Sequence, residues 1–255
     1  MNDREKLTNS FVNSLNYGFV WSYFCIDKTK NKKNEHKLRK DLNELREDPT
    51  LGGTEALLEF LNSFYNTRFK KEHLGSLSES LKSIIKRNQD RLLRENLFEN
   101  GSENPHFCQG IIQKIIQDVI QELKDCKPKA KRPYSLVTKF MHFYNPELFP
   151  IFDSQANKSW KVVEECLNLT GYSSEKGKKT DGIGYGDICK LYLKLREIIE
   201  PQREKVEGLI ENIETTFNIE FSILDAFDKF FWLASGQEEF LFDYNYIGPP
   251  DPGHR

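Results

Sequence analysis

"GIIQKIIQDVIQEL" (residues 110–123) decides the fold class. Ile111, Ile112, Ile115, Ile116, Val119, Ile120 and Leu123 place adjacent apolar pairs four residues apart, the rhythm of one face of a 3.6-residue helix. The same rhythm continues outward. Leu77, Leu81, Ile84, Ile85, Leu92 and Leu93 mark a longer, more charged helix. Further helices are predicted near 8–26, 35–48, 53–66, 154–169, 187–199, 202–217 and 221–235. Alternating runs closed by hairpin turns are not found, so the chain reads as all-α.

Pro, Gly, Asn and Ser clusters punctuate these helices at "DPTLGG" (48–53), "ENGSENP" (99–105), "KPKAKRP" (127–133), "YNPELFP" (144–150) and "SSEKGKKTDGIG" (173–184). No internal repeat or low-complexity tract is present. The organisation expected is one all-α domain over 1–245, built as two lobes, with a site region at 133–160. The tail 246–255, "IGPPDPGHR" with its preceding residue, cannot continue a helix.

At 255 residues, 38% apolar and 30% charged, the chain is large enough to bury a core. The net charge of -2 means that a nucleic-acid partner would be met by local basic patches. Cys25, Cys108, Cys126, Cys166 and Cys189 are odd in number and lack C-x-x-C spacing. That pattern favours free thiols in a reducing cytoplasm over a disulfide framework or thiolate zinc site. No paired metal-ligand spacing occurs, and neither a metal nor a cofactor is expected. The polar start "MNDREKLTNS" is unlike a signal peptide, and no apolar run reaches membrane-spanning length. A soluble, cytoplasmic monomer with no obligate protein partner is the expectation.

"SLVTKFMHFYNPELFPIFDSQANKSW" (135–160) carries the chemistry. Pro133 and Ser135 suit a helix start, and Leu136, Val137, Phe140, Met141 and Tyr144 supply its apolar face. Lys139 and His142 fall elsewhere by spacing, toward a groove. The helix ends near Asn145 because Pro146 disfavours helical geometry in the residue before it. Pro150 fixes the return, and Asp153 or Ser154 caps the next helix.

This layout resembles the helix-hairpin-helix DNA glycosylase superfamily, especially its 8-oxoguanine branch and the compact relatives of that branch. Thr138-Lys139, Pro146 and "PIFDSQANK" stand where that family has a hairpin lysine, a Pro-containing loop and an aspartate opening a helix. The resemblance implies a helix-hairpin-helix fold with two lobes around a cleft, Asp153 as the catalytic carboxylate and Lys139 as nucleophile. The substrate it implies is DNA with a damaged or modified base. "YSLVTK" holds no glycine where the family uses a glycine-rich hairpin to grip a phosphate, which points to a substrate other than 8-oxoguanine.

Cleaving an N-glycosidic bond builds positive charge on the sugar, which a preplaced carboxylate stabilises. A neutral lysine can instead attack the sugar carbon, giving a Schiff base and strand cleavage. Base-removing enzymes also hold the extruded base against aromatic surfaces. "YGFVWSYF" (17–24) and "FDKFFWLASG" (227–236) are rich in aromatics that are mostly core, and Tyr17, Trp21 and Trp232 are the substrate-contact candidates, with His142. The basic run Lys127, Lys129, Lys131 and Arg132 leads into the hairpin and, with Ser135 and Thr138, is the candidate phosphate contact. A second run, Lys28 to Lys40, reads as a solvated loop. "DGIGYGD" (181–187) reads as a flexible turn followed by a helix that Asp187 caps.

Three functions fit. The first is a DNA glycosylase in base-excision repair or antiviral defence. The second is a nucleosidase acting on a free modified nucleoside or nucleotide. The third is a non-catalytic helical interaction module in which Asp153 is only a cap.

Overall fold

A computed structural model describes residues 1–16, 46–47, 54–64, 69–99, 103–123, 134–152, 154–168, 185–217 and 220–243. Every regular element among them is helical. The α-helices are α1 (Asp3–Asn16), α2 (Thr54–Phe64), α3 (Leu74–Arg94), α4 (Glu103–Leu123), α5 (Tyr134–Tyr144), α6 (Ser154–Cys166), α7 (Tyr185–Ile199), α8 (Arg203–Phe217), α9 (Ile223–Ala234) and α10 (Glu238–Phe242). The protein is all-α. None of the described helices is long and apolar enough to cross a membrane.

The ends of these helices follow local chemistry that periodicity does not report. α1 starts at Asp3 rather than near residue 8. Asn2 and Glu5 exchange side-chain-to-backbone hydrogen bonds, both 2.9 Å, and so satisfy donors at the helix start. Ser222 and Asp225 do the same for α9 at 3.1 and 3.0 Å. The expected loop at 99–105 is shorter, because α4 already begins at Glu103 and tolerates Pro105 in its first turn. α7 begins at Tyr185, so Asp187 is not a cap. It lies in the first turn and pairs with Lys190 at 3.5 Å.

The chain divides into two compact units that do not follow chain order. One contains Met1–Lys33, Asp153–Ser173 and Lys194–Arg255; the other contains Asn34–Phe152 and Ser174–Leu193. The site region 133–160 is therefore split at Phe152/Asp153. In the second unit α3 packs on α2 and α4, and α5 packs on α2 and α4. Leu58, Leu61, Leu77, Leu81, Ile112, Ile115, Ile116, Val137, Phe140 and Met141 are wholly buried in it. Each such side chain contributes about 1.5–3 kcal/mol of apolar burial. In the first unit α9 packs on α6, α1 and α8, and Phe11 stacks on Phe227 with ring centroids 4.7 Å apart.

Candidate functional site

α5 is buried on more than its apolar side. Leu136, Val137, Phe140, Met141 and Tyr144 form one buried face. Ser135, Thr138, Lys139 and His142 recur at helical spacing along another, and of these only Ser135 is not fully buried. A polar stripe inside a fold is unusual, because a buried polar group costs free energy unless it is hydrogen-bonded.

The cause is the chain itself, which returns over the stripe after Asn145. His142 Nδ1 lies 2.8 Å from the Phe149 carbonyl oxygen. A carbonyl can only accept, so Nδ1 carries the hydrogen. The Thr138 hydroxyl accepts from the Phe152 N–H at 3.2 Å and lies 3.2 Å from the Ser135 carbonyl oxygen. Tyr185, wholly buried at the start of α7, donates its hydroxyl to the Pro150 carbonyl at 2.5 Å. Tyr134 closes the group, edge-on to Phe152 at 4.7 Å and to Tyr185 at 6.2 Å. Burial raises both tyrosine hydroxyls above their ordinary range, so they stay protonated donors.

Lys139 is the chemical centre of the stripe. It is 3% exposed, and its Nζ donates to the Ser135 hydroxyl one turn back at 3.2 Å. Lysine is almost never buried to this degree unless paired or functional. The expected groove-facing Lys139 and His142 are therefore corrected: both are inside, with His142 bonded to the return segment that follows the Asn-Pro turn and Lys139 to Ser135. An amine sheltered from bulk water and bonded to a half-buried hydroxyl can serve as a nucleophile or a proton carrier.

Two residues position α5 through contacts that sequence reasoning missed, Arg46 from outside the motif and Asn145 from within it. Arg46 donates to the last carbonyls of the helix, Tyr144 at 3.0 Å and Phe143 at 3.2 Å, a favourable place for a cation. Asn145 donates to the Leu92 and Glu95 carbonyls at 2.7 and 3.0 Å and accepts from the Glu147 N–H at 2.9 Å. Asn-Pro signals a turn, but nothing in it says that the asparagine ties the end of α3 to the end of α5.

In the other unit Trp232 is half-buried on α9, one turn from Asp228. Asp228 is 4% exposed; one carboxylate oxygen meets Lys229 Nζ at 2.9 Å, and the other has no hydrogen-bond partner among the described residues. Trp160 on α6 also buries an indole N–H that has no partner among the described residues. Asp228 did not stand out in the sequence, because it sits in a stretch that reads as plain aromatic core, and Trp160 was passed over at the end of the motif.

Asp153, Tyr17, Trp21, Lys127, Lys129, Lys131 and Arg132 lie outside the described residues. No group of three or more metal-ligating side chains occurs among the described residues. Comparison with protein-family models, curated proteins and solved structures finds no match to this chain.

Proposed function

We propose that this protein is a DNA glycosylase that removes a damaged or modified base, with Lys139 as its reactive amine. The observation that carries the reading is the burial of Lys139 within the polar stripe of α5, at the position where "SLVTKFMHFYNPELFPIFDS" resembles the glycosylase motif. A buried amine has the chemistry for attack on the sugar carbon as the base departs, with the Schiff base as product. Asp153 is assigned the carboxylate role through the resemblance alone. Thr138 and His142 act on the return segment rather than on DNA, since both are committed to its backbone. The protein is assigned to the cytoplasm as a monomer, working in base repair or in defence against modified phage DNA.

The test is base release from a panel of duplexes and modified phage genomes, comparing wild type with Lys139→Gln and Asp153→Asn. Release by the wild type, lost in Asp153→Asn, supports the reading, and borohydride trapping that disappears in Lys139→Gln assigns the amine. No release from any DNA sinks it, and release from free nucleosides alone replaces it with a nucleosidase.

A further inference from the structure

α3 differs in charge from the other described helices. From Lys82 to Arg94 it carries five cations, Lys82, Lys86, Arg87, Arg91 and Arg94, against one carboxylate, Asp90. α2 and α8 carry mainly carboxylates, and α4 mixes the two signs. The apolar positions Leu77, Leu81, Ile84, Ile85 and Leu92 turn inward, which places Lys86, Arg87 and Arg94 on the opposite, exposed side.

Two of the five cations are already in ion pairs, and a third, Arg87, donates to the Ser83 hydroxyl one turn back at 2.5 Å without having its charge neutralised. Lys82 pairs with Glu79 at 3.2 Å; Arg91 pairs with Glu95 at 3.3 Å and stacks over the Phe107 ring at 3.9 Å. Lys86, Arg87 and Arg94 make no ion pair among the described residues, although Asp90 lies within one turn of all three. Arg94 sits in the last turn, where a cation is favourable to the helix itself. Lys86 and Arg87 are a full turn or more from that end and have no such reason to be basic.

The surface is also anchored. Asn145 holds the Leu92 and Glu95 carbonyls, and Gln89 donates to the Arg46 carbonyl at 2.8 Å. The cationic half of α3 is thereby fixed to the end of α5 within one unit. Lys86 and Arg94 are separated by about 12 Å along the helix, roughly the axial rise of three to four phosphates on one strand.

We propose that Lys86, Arg87 and Arg94 on α3 form a contact face for the phosphate backbone of duplex DNA. This rests on the glycosylase reading for its choice of polyanion, and it supplies a phosphate contact outside the glycine-free hairpin. The contact is to backbone and reads no sequence.

The experiment is fluorescence anisotropy of a 20-base-pair duplex with the full chain, titrated across about 50 to 300 mM salt. Wild type is compared with Lys86→Gln/Arg87→Gln/Arg94→Gln, and thermal melts check that both fold. The slope of log affinity against log salt is expected to fall by about 2 to 3 units in the triple variant. An unchanged slope with tight wild-type binding overturns the α3 face and leaves the glycosylase reading standing. Duplex binding lost in the variant, together with no base release by the wild type, supports the face and sinks the glycosylase. Binding to anionic lipid vesicles but to no duplex overturns both.

Discussion

His142 gives its Nδ1 hydrogen to the Phe149 carbonyl at 2.8 Å, from within a ring that is 1% exposed. A histidine one turn beyond a candidate nucleophile thus serves first as a fastener for the segment that covers it. His142→Phe keeps the volume but leaves that carbonyl unsatisfied. The expected loss is about 1–3 kcal/mol in urea unfolding. His142→Asn, whose amide can still donate, is expected to recover part of it. Equal stability in wild type and His142→Phe would remove the fastening role.

Asn145 joins the end of α3 to the turn after α5 through two hydrogen bonds and braces the turn itself with a third. Asn145→Ala frees two buried carbonyls and one N–H, and each net bond is worth about 0.5–1.5 kcal/mol. A destabilisation of about 2–4 kcal/mol is expected, with Asn145→Asp also unstable because a carboxylate cannot donate to Leu92 or Glu95. Urea midpoints at constant slope measure it.

Tyr144 behaves oppositely. Its ring is 1% exposed, and its buried hydroxyl has no hydrogen-bond partner among the described residues. Tyr144→Phe removes an unsatisfied polar atom and is expected to be neutral or stabilising by up to about 1 kcal/mol near neutral pH. Burial pushes the hydroxyl up to about 12, against the opposing pull of Arg46. In the unfolded chain it ionises near 10, so its contribution is complete below pH 10 and is lost as pH rises toward 12. The advantage of Tyr144→Phe should widen across that interval, as read from unfolding midpoints.

Lys139 carries the chemical prediction. Lys139→Arg preserves the charge but removes a competent amine, since guanidinium stays protonated. It should abolish borohydride trapping, whereas a merely structural lysine would tolerate it with trapping intact. Ser135→Ala removes the acceptor at 3.2 Å and should slow trapping without abolishing it, because the amine itself remains.

Most helices were legible because their apolar faces repeat so regularly. Ile111 through Val119 announce α4, and Pro146 announces the end of α5 at Tyr144. What was not legible depends on contacts between distant positions. Spacing alone sent Lys139 and His142 toward a groove; it cannot know that residues 149–152 fold back and bond to Thr138 and His142. Arg46 is nearly one hundred positions from the helix it caps, so no local pattern links them. Asn2 and Asp228 show two further blind spots. A capping box looks like polar tail sequence, and a buried carboxylate looks like any charge beside aromatics.

The return segment has a consequence for how damage in this region would be read. From Pro150 to Phe152 the chain has no regular secondary structure, and its backbone groups are met by side chains, Tyr185 and Thr138, with His142 holding Phe149 just before. Its order is borrowed. A genetic screen for lost activity would score these residues as indispensable even if none meets a substrate. A protease cutting after Phe149 or Phe152 would tell the two kinds of loss apart.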